Sequence, residues 1–339
     1  MHIEEKHNTR IWTIVAMKAH DIEPKNITRH NLLVRIARLY YLCSMTHQDI
    51  ADREGLSRIK VTRLLKEAVD KQIVEFKIKD PVLNTLELEE VFKNTFKLKR
   101  AIITPTPQAD GDIYDILGRF TADFLKRNLR DRLNIGIGWG RTLNGMLPYL
   151  NRSSKKSIKV ISLTGGLAAN TRQPNPYDVA SAIAAKLGAS PCYPIVPAIV
   201  ENEAVKRLLL KEKKVKQILD LWERIDIALM SIGIISTETG LYYSFPDPKK
   251  EADSVKKLGA VGDLLAKPFN QKGKFLKPGF ANRTIRIPFE SLKRIPIVIG
   301  IAGGRMKVEA ILGALHSGYL NTLITDEATA KKLMRIVQK

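Results

Sequence analysis

Residues 46–78 constrain the fold more than any other stretch, because they read as two short helices joined by a tight turn. Thr46 and Ser57 are residue types that cap helix N-termini, and Gly55 lies between them, where a positive φ costs glycine little. A segment rich in strand-forming residues, IVEFKIK, follows the second helix. This order of helix, turn, helix and strand is typical of a winged helix-turn-helix, which places its second helix in the major groove of DNA.

The second of these helices, predicted from Ser57 to about Lys71, has one apolar and one polar face. Val61, Leu64 and Ala68 recur at helical spacing and predict the buried face. Arginine, lysine and threonine on the opposite face can donate to phosphates and to guanine edges. The alternative is an ordinary solvated helix face, which the turn and the following strand disfavour. The predicted DNA-binding residues are Thr46, Gln48, Ser57, Arg58, Lys60, Thr62 and Arg63.

Apolar periodicity and breaker residues divide the chain into four segments. Helical spacing between His30 and Met45 predicts a helix ahead of the helix-turn-helix, and Asp80–Pro81 ends that segment. Thr85 to Phe96 predicts a linker helix that either packs on its own domain or pairs two subunits. We expect an N-terminal extension at 1–29, a winged helix-turn-helix DNA-binding domain at 30–80, a linker or oligomerisation helix at 81–98 and a ligand-binding (effector) domain at 99–339.

From Arg100 onward, short apolar runs alternate with amphipathic segments. The predicted strands are AIIT, LNIGIG, IKVISL, YPIV, IDIALMSIG, IPIVIGIAGG and NTLIT, and helices such as those at residues 142–150 and 177–187 lie between them. This alternation is typical of a mostly parallel sheet covered on both faces. The predicted fold class is therefore α/β: an N-terminal winged helix-turn-helix followed by a Rossmann-like, doubly wound domain.

Glycine-rich segments follow several of the predicted strands. Ligands bind such sheets at the carboxyl ends of the strands, where backbone N–H groups can hold a phosphate and hydroxyls add donors. Glycine at a strand end is also ordinary turn geometry, so the argument depends on several clusters converging on one edge. The predicted ligand-binding residues of these segments are Gly136, Gly138, Trp139, Gly140, Thr142, Thr164, Gly165, Gly166 and Gly233.

Two polar residues near the same edge are candidates for binding a sugar. Asp263 can accept hydrogen bonds from sugar hydroxyls, and Lys307 can donate to a hydroxyl or a phosphate. The alternative is that both are surface or helix-cap residues. The GIGWGR segment is not a dinucleotide fingerprint, because Arg141 occupies the third glycine position.

The net charge of +21 favours an anionic partner, although a generally basic proteome is the alternative. Residues 1–80 hold 15 Lys and Arg against 11 Asp and Glu, so only +4 of this charge belongs to them. No Ser/His/Asp set, Cys/His pair or metal-binding spacing is present, and we predict no catalytic residue, metal or cofactor. Cys43 and Cys192 fit buried thiols in a reducing cytoplasm. No apolar run approaches the ~20 residues of a membrane span, so we expect a cytoplasmic protein without a membrane partner.

Several segments together resemble one family, the SorC (SorC/DeoR-type) bacterial sugar-responsive transcription regulators. The resemblance covers the chain from about Leu32 to its C-terminus, and GAVGD followed by AGGxxK behind a helix-turn-helix is its most specific part. The segments are TRLLKEAVDKQIVEFKI at 62–78, IGWGRTL at 137–143, LTGG at 163–166, NPYDVA at 175–180, GAVGD at 259–263 and IAGGRMKVEAILGAL at 301–315.

The resemblance implies a sugar-binding domain similar to phosphosugar isomerases and deaminases, a phosphorylated sugar or sugar alcohol as effector, and a homo-oligomer, typically a tetramer built from dimers. It implies that the phosphate contacts the 136–142 and 164–166 loops, that Asp263 and Lys307 hold the sugar, and that Asn175 and Asp178 line the site. Some relatives have an acidic residue in place of Arg141, so the identity of the sugar cannot be copied from one relative.

We therefore expect a sequence-specific DNA-binding regulator, a repressor of a carbohydrate-utilisation operon that a sugar phosphate controls. Its expected partners are operator DNA, the sugar phosphate and further copies of itself. The first alternative is a phosphosugar isomerase or deaminase with an accessory helical domain, which the missing acid/base set disfavours. The second is an NAD-binding protein, which the broken fingerprint disfavours.

Overall fold

A computed structural model divides the chain into two compact units, Met1–Asp80 and Pro81–Lys339. It describes residues 24–75, 83–107, 112–167, 174–238 and 241–338. Most of the predicted N-terminal extension and of the predicted wing strand IVEFKIK therefore lies outside the described residues. Among the residues that are described, no helix is both long and apolar enough to cross a bilayer.

The first unit contains three helices around a small apolar core. They are α1 (Pro24–Tyr41), α2 (His47–Glu54) and α3 (Arg58–Asp70). Ile36, Ile50 and Leu64, one from each helix, are almost completely buried. Helix α1 begins six residues before the predicted start at His30, because proline is compatible with a first helical turn and Arg29 forms an ion pair with Glu67 of α3 at 2.6 Å.

The second unit is an α/β domain with nine strands in its described residues. Its strands are β1 (Arg100–Thr104), β2 (Asn134–Ile137), β3 (Lys159–Ser162), β4 (Ser190–Cys192), β5 (Ile227–Ser231), β6 (Gly262–Leu264), β7 (Lys267–Phe269), β8 (Ile297–Ile301) and β9 (Thr322–Asp326). Its helices are α4 (Leu83–Phe96), α5 (Ile113–Asn128), α6 (Arg141–Asn144), α7 (Pro176–Leu187), α8 (Glu203–Lys211), α9 (Lys213–Leu219), α10 (Pro248–Lys257), α11 (Phe289–Arg294), α12 (Val308–His316) and α13 (Glu327–Val337). Short 3₁₀ turns cover Leu147–Tyr149, Asp220–Arg224, Leu241–Ser244, Ala281–Arg283 and Arg305–Lys307.

Seven strands form one parallel sheet in the order β1-β9-β8-β5-β2-β3-β4, and β6 and β7 form a separate antiparallel hairpin. From β2 the chain moves outward through β3 to β4, and from β5 it moves the other way through β8 to β9. The strand order therefore reverses between β2 and β5, which is where doubly wound sheets open a ligand crevice. This architecture confirms the predicted α/β fold class.

Three predictions of secondary structure need correction. The YPIV segment at 193–196 is not a strand; the edge strand is Ser190–Cys192, because Pro194 has no N–H to donate and the Tyr177 hydroxyl accepts from the Val196 N–H instead. The helix predicted over residues 142–150 splits into α6 and a 3₁₀ turn that begins next to Pro148. Helices α10 and α11 and the β6–β7 hairpin were not predicted. Helix α11 and both hairpin strands are short, and α10 is mostly charged, with only Ala252 and Val255 buried.

The expectation of two buried thiols is also wrong. Cys43 is exposed and Cys192 is half-buried. Cys43 lies in the turn after α1, next to Leu42, which is 46% exposed. Cys192 ends an edge strand, where burial raises the pKa of its thiol.

Helix α4 packs on its own unit, as one of the two sequence interpretations requires. Phe92 is fully buried in the core of the α/β domain. The Glu89 carboxylate accepts a hydrogen bond of 2.8 Å from the Ile103 N–H on the outer edge of β1, which ties the helix to the sheet. Leu86 and Val91 remain 53% and 42% exposed, so α4 also offers apolar surface to another molecule.

Candidate nucleic-acid interface and ligand cleft

Capping interactions define where α2 begins and ends and where α3 begins. Thr46 and Asp49 form a reciprocal capping box at the start of α2. Gly55 adopts the left-handed conformation, with φ of 63°, and ends α2. The Ser57 hydroxyl then accepts from the Lys60 N–H at 3.2 Å and starts α3. The sequence pattern and the structure therefore agree on a helix-turn-helix.

The exposed face of α3 carries positive charge that no carboxylate neutralises. Arg58, Lys60 and Arg63 are exposed, and none of them forms an ion pair with any residue that the structure describes. Two carboxylates of this unit pair with other cations: Glu54 pairs with an arginine of α1, and Arg29 and then Lys71 lower the pKa of Glu67 to about 2.

The other predicted DNA-binding side chains are hydrogen-bonded within the unit. Thr46 and Ser57 serve as helix caps. The Gln48 amide donates to the Asp52 carboxylate at 2.8 Å, and the Thr62 hydroxyl donates to the Arg58 carbonyl at 3.1 Å. They can shape the interface or contact phosphates, whereas the free cations of α3 are better placed to read base edges. Next to them, Ile59 is 68% exposed and presents an apolar side chain suited to a thymine methyl group.

In the α/β domain, a cleft of about 470 Å³ opens where the strand order reverses. Its walls come from the loops after β2, β5 and β8 and from the β6 segment. Of the predicted residues it brings together Trp139, Gly140, Thr142, Gly233, Asp263 and Lys307. The remaining lining includes Tyr114, Arg141, Ser231, Glu238, Leu265 and Arg305.

Asp263 forms the floor of this cleft and is only 5% exposed. Its backbone pairs with Gly233, which donates to the Asp263 carbonyl at 2.9 Å and accepts from its N–H at 3.2 Å. Its carboxylate accepts from the Ala266 N–H at 3.1 Å. A Cβ atom at position 233 would lie 2.1 Å from Oδ1 of Asp263, so the loop after β5 needs glycine there to approach the carboxylate.

Burial shifts the protonation equilibria of the charged groups at this floor. Desolvation raises the pKa of Asp263 to about 6, although a hydrogen bond from Ala266 and the charges of Lys307 and Arg286 oppose the shift. Desolvation and then the Arg141 charge lower the pKa of Lys307 to about 8. Desolvation lowers the pKa of Arg286 to about 10. The floor thus holds a carboxylate and cations that little water screens. Such a floor offers both an acceptor and donors for hydrogen bonds to the hydroxyl groups of a ligand.

Sequence reasoning missed the residues that hold and complete the cleft. The Gly304 N–H donates to the buried Asp326 at 2.9 Å and to the Thr329 hydroxyl at 2.8 Å, which positions the loop before Lys307. The hydroxyls of Ser231 and Tyr242 are buried without a hydrogen-bond partner among the described residues. Ser231 and Asp326 end the observed strands β5 and β9. In the sequence, Ser231 lies inside the predicted strand IDIALMSIG and Asp326 directly follows the predicted strand NTLIT, so a polar residue near a strand end was a usable signal.

Not all the predicted residues reach this cleft. Gly136 lies inside β2, where a Cβ atom would meet Leu163 at 2.7 Å. Gly166 and Asn175 line a separate, largely apolar cleft of about 560 Å³. The structure places the rest as follows: Gly138 packs against Leu265, Thr164 is buried with an unpartnered hydroxyl, Gly165 packs against Pro197, and Asp178 is exposed on α7.

Known proteins resemble this chain over most of its length. Residues 80–335 match the protein family described as "Putative sugar-binding domain". The chain is 33% identical over 307 residues to the erythritol catabolism regulatory protein EryD of Brucella abortus, covering 90% of this chain and 96% of that protein. It is 29% identical over 308 residues to the deoxyribonucleoside regulator of Bacillus subtilis, covering 90% and 98%. The crystal structure of the full-length sorbitol operon regulator SorC from Klebsiella pneumoniae matches with a TM-score of 0.68 and 28% identity, over 90% of this chain and 98% of that one.

The buried carboxylate predicts a pH-dependent cost in stability. Since the pKa of Asp263 in the folded protein is about 6, above its ordinary value of 3.8, stability is lost as pH rises through this interval. We expect Asp263→Asn to raise the free energy of unfolding at pH 7.5 by on the order of 2 kcal/mol, and the gain to disappear near pH 4. Denaturant unfolding at both pH values measures this, with the exposed Asp220→Asn as control. An equal effect of Asp263→Asn at both pH values would contradict the assignment.

Proposed function

Because the chain belongs to the SorC family of sugar-binding transcriptional regulators, we propose that α3 reads operator DNA and that a phosphorylated sugar or sugar alcohol in the cleft controls this binding. The observation that carries the proposal is the pair of Asp263, which is buried, and Lys307, which is half-buried, in the cleft where the sheet reverses its strand order. The other unit presents cations on α3 that have no ion-pair partner among the described residues. The regulated genes would serve the use of a carbohydrate, and ligand binding would release repression.

The DNA contacts in this proposal divide by chemistry. Arg58 and Lys60 lie in the first turn of α3, where they can reach phosphates as well as bases. Arg63, one turn further, can donate two hydrogen bonds to the O6 and N7 atoms of a guanine. The first unit carries a net charge of only +4, so specific contacts rather than bulk charge must supply much of the preference for the operator.

The ligand contacts follow from the polarity of the cleft. The Asp263 carboxylate accepts hydrogen bonds from sugar hydroxyls, and the Lys307 ammonium group donates to a hydroxyl or a phosphate oxygen. The ring of Trp139, next to Gly140, supplies an apolar wall against which the carbon atoms of a sugar can pack. Relatives named for erythritol, deoxyribonucleosides and sorbitol support a polyhydroxylated ligand.

Control of DNA binding also requires that the ligand discriminate between two states of the protein. A ligand shifts such an equilibrium only by the difference in its affinity for the two states. We propose a homo-oligomer, a tetramer built from dimers, in which the ligand changes how the α3 helices of different copies are spaced. The exposed Leu86 and Val91 of α4 supply apolar surface for pairing, and light scattering of the full chain tests the oligomer.

Replacing Arg63 tests the reading helix. We expect Arg63→Ala to weaken binding to the protein's own promoter DNA by roughly 5- to 100-fold, because one arginine–guanine pair contributes about 1–3 kcal/mol. Binding to unrelated DNA should weaken far less. Fluorescence anisotropy at two salt concentrations measures both affinities, and Arg335→Ala, an exposed arginine of α13, is the control. Equal losses on both DNAs would show that Arg63 does not read sequence.

Replacing Lys307 tests the ligand cleft. A thermal-shift screen of phosphorylated sugars and polyols should identify a ligand that raises the melting temperature, since it binds only the folded state. We expect Lys307→Met to keep operator affinity within about twofold, because the residue lies in the other unit, and to lose the response to this ligand. Lys332→Met, an exposed lysine of α13, is the matched control. An unchanged ligand response in Lys307→Met would disprove the role of the cleft.

A phosphosugar isomerase or deaminase remains the second candidate function, and one observation favours it. Asp263, with a pKa of about 6, and Lys307, with a pKa of about 8, lie in one cleft, and groups with such values suit acid/base chemistry at neutral pH. Incubation of the full chain with a panel of sugar phosphates distinguishes the two functions. Sustained product formation would favour the enzyme, whereas binding without turnover supports the regulator.

A further inference from the structure

Five glycine N–H groups near this edge of the sheet already donate to other groups of the protein. The Gly138 N–H donates to the Leu229 carbonyl at 2.8 Å, and the Gly304 N–H donates to Asp326. The Gly165 N–H donates to the Ile285 carbonyl at 3.1 Å, and the Gly166 N–H donates to the Val196 carbonyl at 2.9 Å. The Gly233 N–H donates to the Asp263 carbonyl at 2.9 Å. Helix α6, which follows Gly140, has only four residues and offers no substantial helix dipole. These five N–H groups are therefore not free to bind a phosphate, and side chains of the cleft must supply much of the positive charge that a phosphate needs.

The cleft is lined by three cations and two carboxylates. The cations are Arg141, Arg305 and Lys307, and the carboxylates are Asp263 and Glu238. Of these three cations, Lys307 is the least exposed. Its ammonium group donates to the Ile232 carbonyl at 2.9 Å and is attracted by the charge of Asp263. Its charge is thus partly compensated inside the protein.

Arg141 is different, because it is exposed and its guanidinium has no carboxylate partner within the described parts of the chain. The guanidinium carbon lies 4.6 Å from the centre of the Tyr114 ring, so the aromatic face orients it. A guanidinium stacked in this way keeps its N–H edges free, and these edges match two oxygens of a phosphate. The Arg141 charge also acts on Lys307, which places both cations close to one ligand.

We propose that Arg141, held by Tyr114, is the specificity-determining residue through which the cleft selects a phosphorylated ligand over the corresponding neutral sugar. The Asp263 end of the cleft then recognises hydroxyl groups, and the Arg141 end recognises the dianion. This inference rests on the proposed function in one respect, namely that the effector binds in this cleft. It assigns anion selectivity to a side chain rather than to the glycine-rich backbone.

Inorganic phosphate is the probe that tests this selectivity without knowledge of the sugar. Trp139 lines the cleft, so its fluorescence reports occupancy in the full-length protein. Phosphate should change this signal saturably, whereas chloride at matched ionic strength should not. We expect Arg141→Gln to weaken phosphate binding by roughly 10- to 100-fold, as the loss of a charged hydrogen-bond partner implies. Arg335→Gln, with an exposed arginine outside the cleft, should match the wild type.

Two further variants keep the test decisive if Arg141→Gln folds poorly. Arg141→Lys keeps the charge and loses the planar fork, and Tyr114→Leu keeps the arginine and loses the stacking partner. We expect each to weaken phosphate binding by roughly 3- to 10-fold. Phosphate binding that is unchanged in the Arg141 variants, or a wild type that does not bind phosphate, would overturn the inference. The proposed function would survive both results if a sugar phosphate still altered operator binding, and it would fail if none did.

Discussion

The cleft of the α/β domain is built around two opposite charges at the edge of the sheet, Asp263, which is buried, and Lys307, which is half-buried. Removing a carboxylate and an ammonium group from water is costly, and their attraction recovers only part of that cost. The direction of both pKa shifts, upward for Asp263 and downward for Lys307, shows that desolvation outweighs pairing here. The apolar core must offset this desolvation cost. The ligand proposed above, with several hydroxyl groups, reduces the cost because its hydrogen bonds replace the lost hydration of the two charges.

The surrounding structure is arranged around that constraint. The sheet reverses its strand order between β2 and β5, so the connections that leave these two strands run to opposite sides and leave room for the cleft. Gly233 lets the loop after β5 approach the Asp263 carboxylate, and Asp326 with Thr329 holds the loop that precedes Lys307. The proposed ligand site is therefore held by hydrogen bonds and close contacts between strand ends and loops, which fix the positions of its side chains.

Sequence patterns predicted the elements that repeat a simple period. The apolar runs gave the central strands, and the caps at Thr46 and Ser57 with Gly55 predicted the helix-turn-helix. The patterns failed where long-range contacts decide the structure. No local signal shows that the charge of Arg286 acts on Asp263, that Tyr242 is buried near the same carboxylate, or that Asp178 is exposed on α7 instead of lining the cleft. Glycines were visible in the sequence, but whether their N–H groups were free depended on strands more than 50 residues away, as for Gly138 and Leu229.

The central claim is that occupancy of the cleft and the reading of DNA by α3 are energetically coupled. Coupling between two ligands is reciprocal, so the most direct measurement determines both affinities of the full-length protein. Operator affinity is measured with and without a saturating sugar phosphate, and sugar-phosphate affinity is measured with and without operator DNA. The account predicts that both affinities change by the same factor, of roughly 5- to 150-fold. A sugar phosphate that binds the cleft and leaves operator affinity unchanged would contradict it.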